Sequence, residues 1–308
     1  MTFFVTQLVS GLILGALYAL VALGFSMVYG VLKMLNFAHG DLYMVGAYVG
    51  FFLIQWFGGS SAPSTLWIPV PLLVTLMFVS AALVVGGLGV VLERFAYRPL
   101  RDAPRIAPLI TAIGVSFFLQ NVALLLFGGQ YRNYNTPNFI SLYSGIKIAG
   151  VSIDDAQILV LVLTVVLMVA LRLLVGRTTL GKQMRAVATD REAAEMMGIN
   201  VNRTISATFF IGSALAGVAG VMGGLLFNQV YNYIGFQQGL YAFSAAVVGG
   251  IGSMPGAVLG GLLIGLTQSF INGYVSTQYV NQLTFALLIA VLLVRPRGVL
   301  GRAQLAKV

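Results

Sequence analysis

Nine apolar stretches follow one another along this chain, and nearly all of its charge lies between them. They run over Leu8–Val31, Leu42–Phe57, Trp67–Leu92, Pro108–Phe127, Ala156–Val175, Ile205–Phe227, Leu240–Ile251, Gly256–Ile271 and Val280–Val294. A helix that crosses a bilayer needs about 20 apolar residues. The seventh stretch is short, the second and eighth are marginal, and the ninth needs its polar flank. Charged residues make up 8% of the chain, against about 25% in a soluble domain. The expected fold is therefore an all-α polytopic membrane protein with about 8–9 transmembrane segments, forming one membrane domain over residues 1–308. The 37 glycines suit close helix packing and interrupted helices in lipid. The N-terminus has no basic region and reads as the first span, not a cleaved signal. Without cysteines, thiolate chemistry and cysteine-held metals are excluded.

Basic residues sort the connections. Arg94, Arg98, Arg101 and Arg105 cluster after the third stretch. Arg177, Lys182, Arg185, Arg191 and Arg203 lie within 176–204, and Arg295, Arg297, Arg302 and Lys307 in the tail. By the positive-inside rule these three regions are cytoplasmic. Segments 58–66, 228–239 and 272–279 carry no charge and are assigned outside, as is 128–155. The net charge of +9 is explained by these clusters and by lipid headgroups, so no nucleic-acid partner is implied. Parity then requires Leu240–Ile271 to turn back at Ser253-Met254-Pro255-Gly256. It also places Lys33–Asp41 inside, giving nine crossings and a cytoplasmic C-terminus.

Two places share a pattern: V-Y, then F-x-x-G, then L-Y, then a helix of small residues. Phe37 pairs with Phe236, Gly40 with Gly239 and Tyr43 with Tyr241. The first copy starts inside and the second outside, which makes an inverted repeat with short or broken helices, a device of transporters. Such helices free backbone groups to face a solute. Asn36, Phe37, His39, Gly40, Asp41, Phe236, Gln237, Gly239 and Tyr241 are accordingly the expected substrate pathway. One histidine cannot build a metal site, and no metal, cofactor or catalytic residue is expected. An intramembrane Asp or Glu is not expected either, which weakens proton coupling. Gln120 and Asn121 read as helix glue or pathway lining, and Glu93 and Arg94 as a local ion pair. Asn228, Gln229, Asn232, Gln237 and Gln238 read as an external polar vestibule.

The polar island 176–204 holds three of the eight acidic residues. Its Gly176-x-x-x-x-Gly181-Lys182 imitates a phosphate loop, but Gln183 replaces the metal-binding hydroxyl and no strand precedes it. Thr189-Asp-Arg-Glu192 fits a capping box, and Gly198 a left-handed stop. A short helix over Asp190–Met197 follows, with Ala193, Ala194, Met196 and Met197 as adaptable apolar contact surface. Arg185, Thr189, Asp190, Arg191, Glu192, Ala193, Ala194, Glu195, Met197 and Gly198 form the expected docking surface for a soluble partner.

Glu192-Ala193-Ala194-x-x-x-Gly198 resembles the start of the cytoplasmic EAA loop of bacterial ABC importer permeases, although the later Leu-Pro element is missing. The whole chain resembles the permeases of branched-chain amino acid ABC importers. The resemblance rests on Asn36-Phe37-Ala38-His39-Gly40-Asp41, Glu93-Arg94-x-x-Tyr97-Arg98-Pro99-Leu100-Arg101, Gly181-x-x-x-Arg185-Ala186, Val247-Val248-Gly249-Gly250-Ile251-Gly252, and Arg295-Pro296 with Gly298 and Leu300-Gly301. It implies a non-catalytic permease in a bacterial inner membrane, paired as a heterodimer with a second permease. Two cytoplasmic ATPases would bind the inner loops, and a periplasmic binding protein would deliver leucine, isoleucine or valine. Similar permeases carry urea or other neutral amino acids. An ion-coupled secondary carrier and, more remotely, a membrane enzyme using Ser or Tyr are the other readings.

Overall fold

The computed structural model describes residues 2–58, 66–101, 103–104, 106–135, 146–148 and 151–301. Arg105, Arg302, Lys307 and parts of the 58–66 and 128–155 segments lie outside the described residues. Eleven α-helices are present among those described: α1 (Thr2–Leu32), α2 (His39–Trp56), α3 (Val70–Leu92), α4 (Ile106–Phe127), α5 (Asp155–Arg177), α6 (Thr179–Thr189), α7 (Arg191–Met196), α8 (Val201–Phe227), α9 (Ile234–Gly249), α10 (Met254–Tyr274) and α11 (Val280–Val294). A helix covers most of each of the nine apolar stretches. Seven helical segments are long and apolar enough to cross a membrane. The two remaining stretches become α2 and α9, of 18 and 16 residues.

α1 runs antiparallel to α10, with Gly11 against Leu266 and Gly15 against Leu262, and Gly30 meets Gly252 in the turn before α10. Polar groups also meet along this seam: the Tyr18 hydroxyl donates to Gln268 Oε1 at 2.8 Å, and the Ser269 hydroxyl to the Gln7 carbonyl at 2.7 Å. α8 packs in the same manner along α3. The first helix of each repeat thus packs on the third helix of the other, so the repeats interlock rather than sit apart.

The short helices lie between these pairs. Six residues after α1, the chain has folded back far enough that His39 lies beside Gly24, whose absent side chain makes room for the imidazole ring. The return begins at Lys33, in a left-handed conformation (φ 57°). α2 then starts within the fold and runs beside α8. Its partner α9 also starts within the fold and runs the opposite way. Phe37 meets Phe243, Gly40 meets Gly239, and Met44 meets Gly235. Descending numbers against ascending ones mark an antiparallel pair, and the predicted equivalents Gly40 and Gly239 touch each other. The inverted repeat read from the letters is therefore a contact in the fold.

Beyond α9 the chain turns at Gly250 and Gly252, with φ of 109° and 86°. Ser253 caps α10 through the Gly256 amide, so the predicted turn-back falls where expected. One sequence expectation changes: small ladders join the helices. Arg132–Asn133 pairs antiparallel with Gln229–Val230, and Ile146–Ile148 with Val151–Ile153. The first ties the connection after α4 to the end of α8, where Asn228 adopts φ 56°.

Lipid tails are as apolar as leucine, so helix association in a bilayer depends on close packing of small residues. Gly46 faces Gly217, and Gly220 faces the Tyr43 carbonyl and the Ala47 amide. A methyl group at Gly220 would lie 2.8 Å from that amide nitrogen, and backbone cannot move aside. Gly220→Ala is expected to destabilise the fold by roughly 1–3 kcal/mol, as overpacking does, read as a lower melting temperature in detergent. Gly87→Ala, with nothing within 4 Å of the added methyl, should leave it unchanged.

Candidate functional site: paired half-helices and the basic end

The pathway residues divide into an inner group and a rim. Asn36, His39, Gly40, Asp41, Gly239 and Tyr241 are buried, whereas Phe236 and Gln237 are exposed and Phe37 is half-buried. His39 is not in a surface loop, as parity suggested, but opens α2 and packs its ring 4.6 Å from Phe25. Asn36 accepts a 2.6 Å hydrogen bond from Tyr97, which stacks on Phe209. The connection before α2 is thereby anchored to the end of α3. On the rim, Tyr231 donates to Gln237, Gln237 to Tyr241 at 3.1 Å, and Tyr241 to Asn281. Asn232 is buried, so the uncharged polar segment 228–239 is partly built into the fold rather than an open vestibule.

A buried carboxylate overturns another expectation. Asp41, in the first turn of α2, is fully buried and accepts hydrogen bonds from Ser116 and from Gln120 Nε2 at 3.0 Å. Both donors come from the middle of α4, whose spacing of four places them on one face. The sequence placed Asp41 in a loop because the parity of the crossings put Lys33–Asp41 between two spans, and nothing in residues 33–38 marks the fold-back. Of the two amides noted in α4, only Gln120 enters the site; the Asn121 amide donates to its own helix at Phe117 O, 2.8 Å away. An aromatic cavity of about 270 Å³ opens beside this cluster, lined by Phe25, Phe37, Ile113, Ser116, Phe117, Phe236, Gly239 and Leu240. Ser116, Ile113 and Phe117 were not singled out from the sequence. An α4 stripe facing the short helices was the available signal, and uniform hydrophobicity hid it.

The basic clusters converge on one end of the bundle. The end of α1, the ends of α3 and α5, helices α6 and α7, the start of α8 and the α9–α10 turn meet there. Arg191 reaches the Leu32 carbonyl and Arg101 the Asn202 side chain. The chain after α11 returns to the same end, pairing Val299 and Leu300 with the carbonyls of Val248 and Gly249. Glu93 does not pair with Arg94, which is exposed. Its carboxylate lies in a π-helical turn, Glu93–Tyr97, and binds Arg101 and, at 2.6 Å, Ser206 of α8. The extra residue of that turn, followed by the short turn at Arg98–Leu100, aims Glu93 inward.

Within the island, Gly176 belongs to α5 and Gly181 to the first turn of α6. Thr178 joins them: its oxygen accepts from the Gly181 amide at 3.1 Å, and its hydroxyl donates to Leu174 O. This is a helix corner, not a phosphate cradle. The helix predicted at Asp190–Met197 is α7, with Gly198 at φ 79° after it. Its cap differs from the expected box. Thr189 is the last residue of α6 and bonds back to Arg185 O. Asp190 caps α7 instead, accepting from the Glu192 and Ala193 amides at 3.0 and 3.2 Å. Ala194 points inward to a second apolar cluster with Val28, Tyr97, Met184 and Ile205, so it anchors the helix rather than meeting a partner. Glu192, Ala193, Glu195 and Met197 face outward with Met196; the two methionines are 83% and 82% exposed. Arg185 is exposed but donates to the Val175 carbonyl, capping α5.

Seven helical segments long and apolar enough to cross a membrane, packed with two short helices that start inside the fold, define a polytopic membrane protein. Residues 7–292 match the family described as branched-chain amino acid transport system, permease component. The chain is 43% identical over 312 residues to the high-affinity branched-chain amino acid transport system permease protein LivH of Escherichia coli K12, covering 99% of this chain and 98% of the relative. It is 44% identical over 308 residues, with the same coverage, to the corresponding permease BraD of Pseudomonas aeruginosa. No solved structure gives a significant match. The chain belongs to this family of branched-chain amino acid transport permeases.

Glu93 and Arg101, 1% and 10% exposed, make a testable pair. Arg101→Met leaves a buried carboxylate without its cation, a loss of about 3–5 kcal/mol. Glu93→Gln in the Arg101→Met background should restore much of it, measured as the coupling term of a double-mutant cycle in thermal unfolding.

Proposed function

We propose that this chain is the transmembrane half of an ABC importer that brings branched-chain amino acids into the cytoplasm. The observation that carries the reading is 43–44% identity to LivH and BraD over 99% of the chain, joined to a fold whose short helices begin inside the bundle. The chain, as one membrane unit over 1–308, supplies a passive path and hydrolyses nothing. Partner ATPases do the chemical work, a second permease completes the path as a heterodimer, and a periplasmic binding protein delivers substrate. The membrane is the bacterial inner membrane, with the basic end and C-terminus in the cytoplasm by the positive-inside rule. Urea and ion-coupled readings draw no support from the relatives' names.

The path follows the Gly40–Gly239 junction, past His39, Asp41, Phe37 and Phe236 to the Gln237–Tyr241 rim. The exposed face of α7 is the docking surface for one ATPase. Its two methionines suit an adaptable apolar groove, and Glu192 with Arg191 fixes its register. Ala194 beneath them ties the helix to the α1 end and α8, so a push on α7 reaches the bundle. Charge reversal of Arg191 and Glu192 together should lower leucine uptake at least about tenfold, the effect of losing about 1.4 kcal/mol of coupling, while membrane insertion stays normal. Normal uptake by that variant, with its partners present, would refute the docking assignment. Co-purification of the full chain should bring down an ATPase pair and a second permease.

A further inference from the structure

The cavity beside α4 has one polar group in its wall, the Ser116 hydroxyl, among aromatic and aliphatic side chains. Its bonding is nearly complete. The Ser116 proton is given to Asp41 Oδ2, and one lone pair accepts from Gln120 Nε2 at 3.0 Å. A hydroxyl has one donor and two acceptor positions, so the capacity left to Ser116 is that of an acceptor. Behind it stands the buried Asp41 carboxylate. The only ion pair among the described residues joins Glu93 to Arg101, so no side chain within ion-pair distance neutralises Asp41. A buried negative group calls for a positive one. At about 270 Å³ the cavity is smaller than ligand sites of about 300–1,000 Å³, and it suits one short side chain.

We infer that Ser116, backed by the Asp41 carboxylate, recognises the ammonium group of a passing amino acid, while Phe25, Phe37, Ile113 and Phe117 hold its aliphatic side chain. This deepens the proposed function and rests on it. It adds selectivity within the membrane chain itself, set by α4 together with the first turn of α2. A structural role for Asp41, capping the first turn of α2, would satisfy the carboxylate but would not need the cavity or the vacant acceptor on Ser116.

The test uses the importer purified with its co-purifying subunits in lipid nanodiscs, without the binding protein, and radiolabelled leucine. Two competitors divide the molecule: 3-methylbutylamine keeps the ammonium and loses the carboxylate, and 4-methylpentanoate does the reverse. The amine should compete and the acid should not. Ser116→Ala should weaken leucine at least about tenfold, the usual factor for a hydrogen bond to a charged group, and should abolish competition by the amine. Ile113→Trp, which fills the cavity without touching Asp41, should weaken leucine more than alanine. Competition by the acid in the wild type, or wild-type behaviour of both variants, would overturn the assignment while leaving leucine transport intact. A wild-type importer that takes up no leucine with its binding protein present would instead overturn the proposed function itself, and the pocket with it.

Discussion

Helices α2 and α9 can begin inside the bundle only because their backbones touch. At Gly40, Gly235 and Gly239 no side chain separates them, and a methyl group on Gly40 would lie 2.8 Å from the Gly239 Cα. Two helix starts, each with four amides lacking intrahelical partners, are thereby brought side by side at depth. Part of the cost is met locally. Ser116 and Gln120 bind the Asp41 carboxylate in the first turn of α2, and Asp41 in turn sits where a helix dipole favours negative charge. The surrounding long helices serve this junction. α1 and α8 flank it at Gly24 and Gly212, and each is held from outside by the opposite repeat's third helix.

The second organising contact lies at the basic end. Glu93, Arg101 and Ser206 join the end of α3 to α8, and Tyr97 with Asn36 joins it to the connection before α2. Ala194 and Met184 seat α7 and α6 on the same cluster. One buried polar and apolar patch therefore connects the outward-facing face of α7 with the entry to the half-helix. Buried ion pairs are weak sources of net stability. The value of this one lies in fixing where α3 ends, because the π-helical turn at Glu93–Tyr97 places both the Glu93 carboxylate and the Tyr97 ring against the bundle.

Much of the architecture could be read from the letters. Long apolar runs gave the spans, because a bilayer leaves a helix no alternative. Basic residues gave the two ends, and glycine with tyrosine spacing gave the repeat. The site was less legible for a physical reason. Whether a polar residue after a span turns toward water or back into the bundle depends on the tertiary fold, not on local pattern, so Asn36, His39 and Asp41 looked like loop residues. Ser116 is an ordinary interruption in a uniformly apolar helix until α2 lies against it. The cap at Asp190 differs from the expected Thr189 because α6 continues through 189; both residues are good caps, and only the preceding helix decides between them.

The seam between α1 and α10 also sets a timetable. Tyr18 and Gln268 are separated by 250 positions, and a ribosome adds about 5–20 residues per second. From the emergence of α1 to that of α10, roughly 10–50 s pass at that rate. Through that interval the glycine face of α1 has lipid, not protein, as its neighbour. The polar Gln7 and Tyr18 on that face wait for partners that do not yet exist. The membrane therefore acts as a temporary holder for the first repeat, and assembly is completed only when the second repeat arrives to close over it.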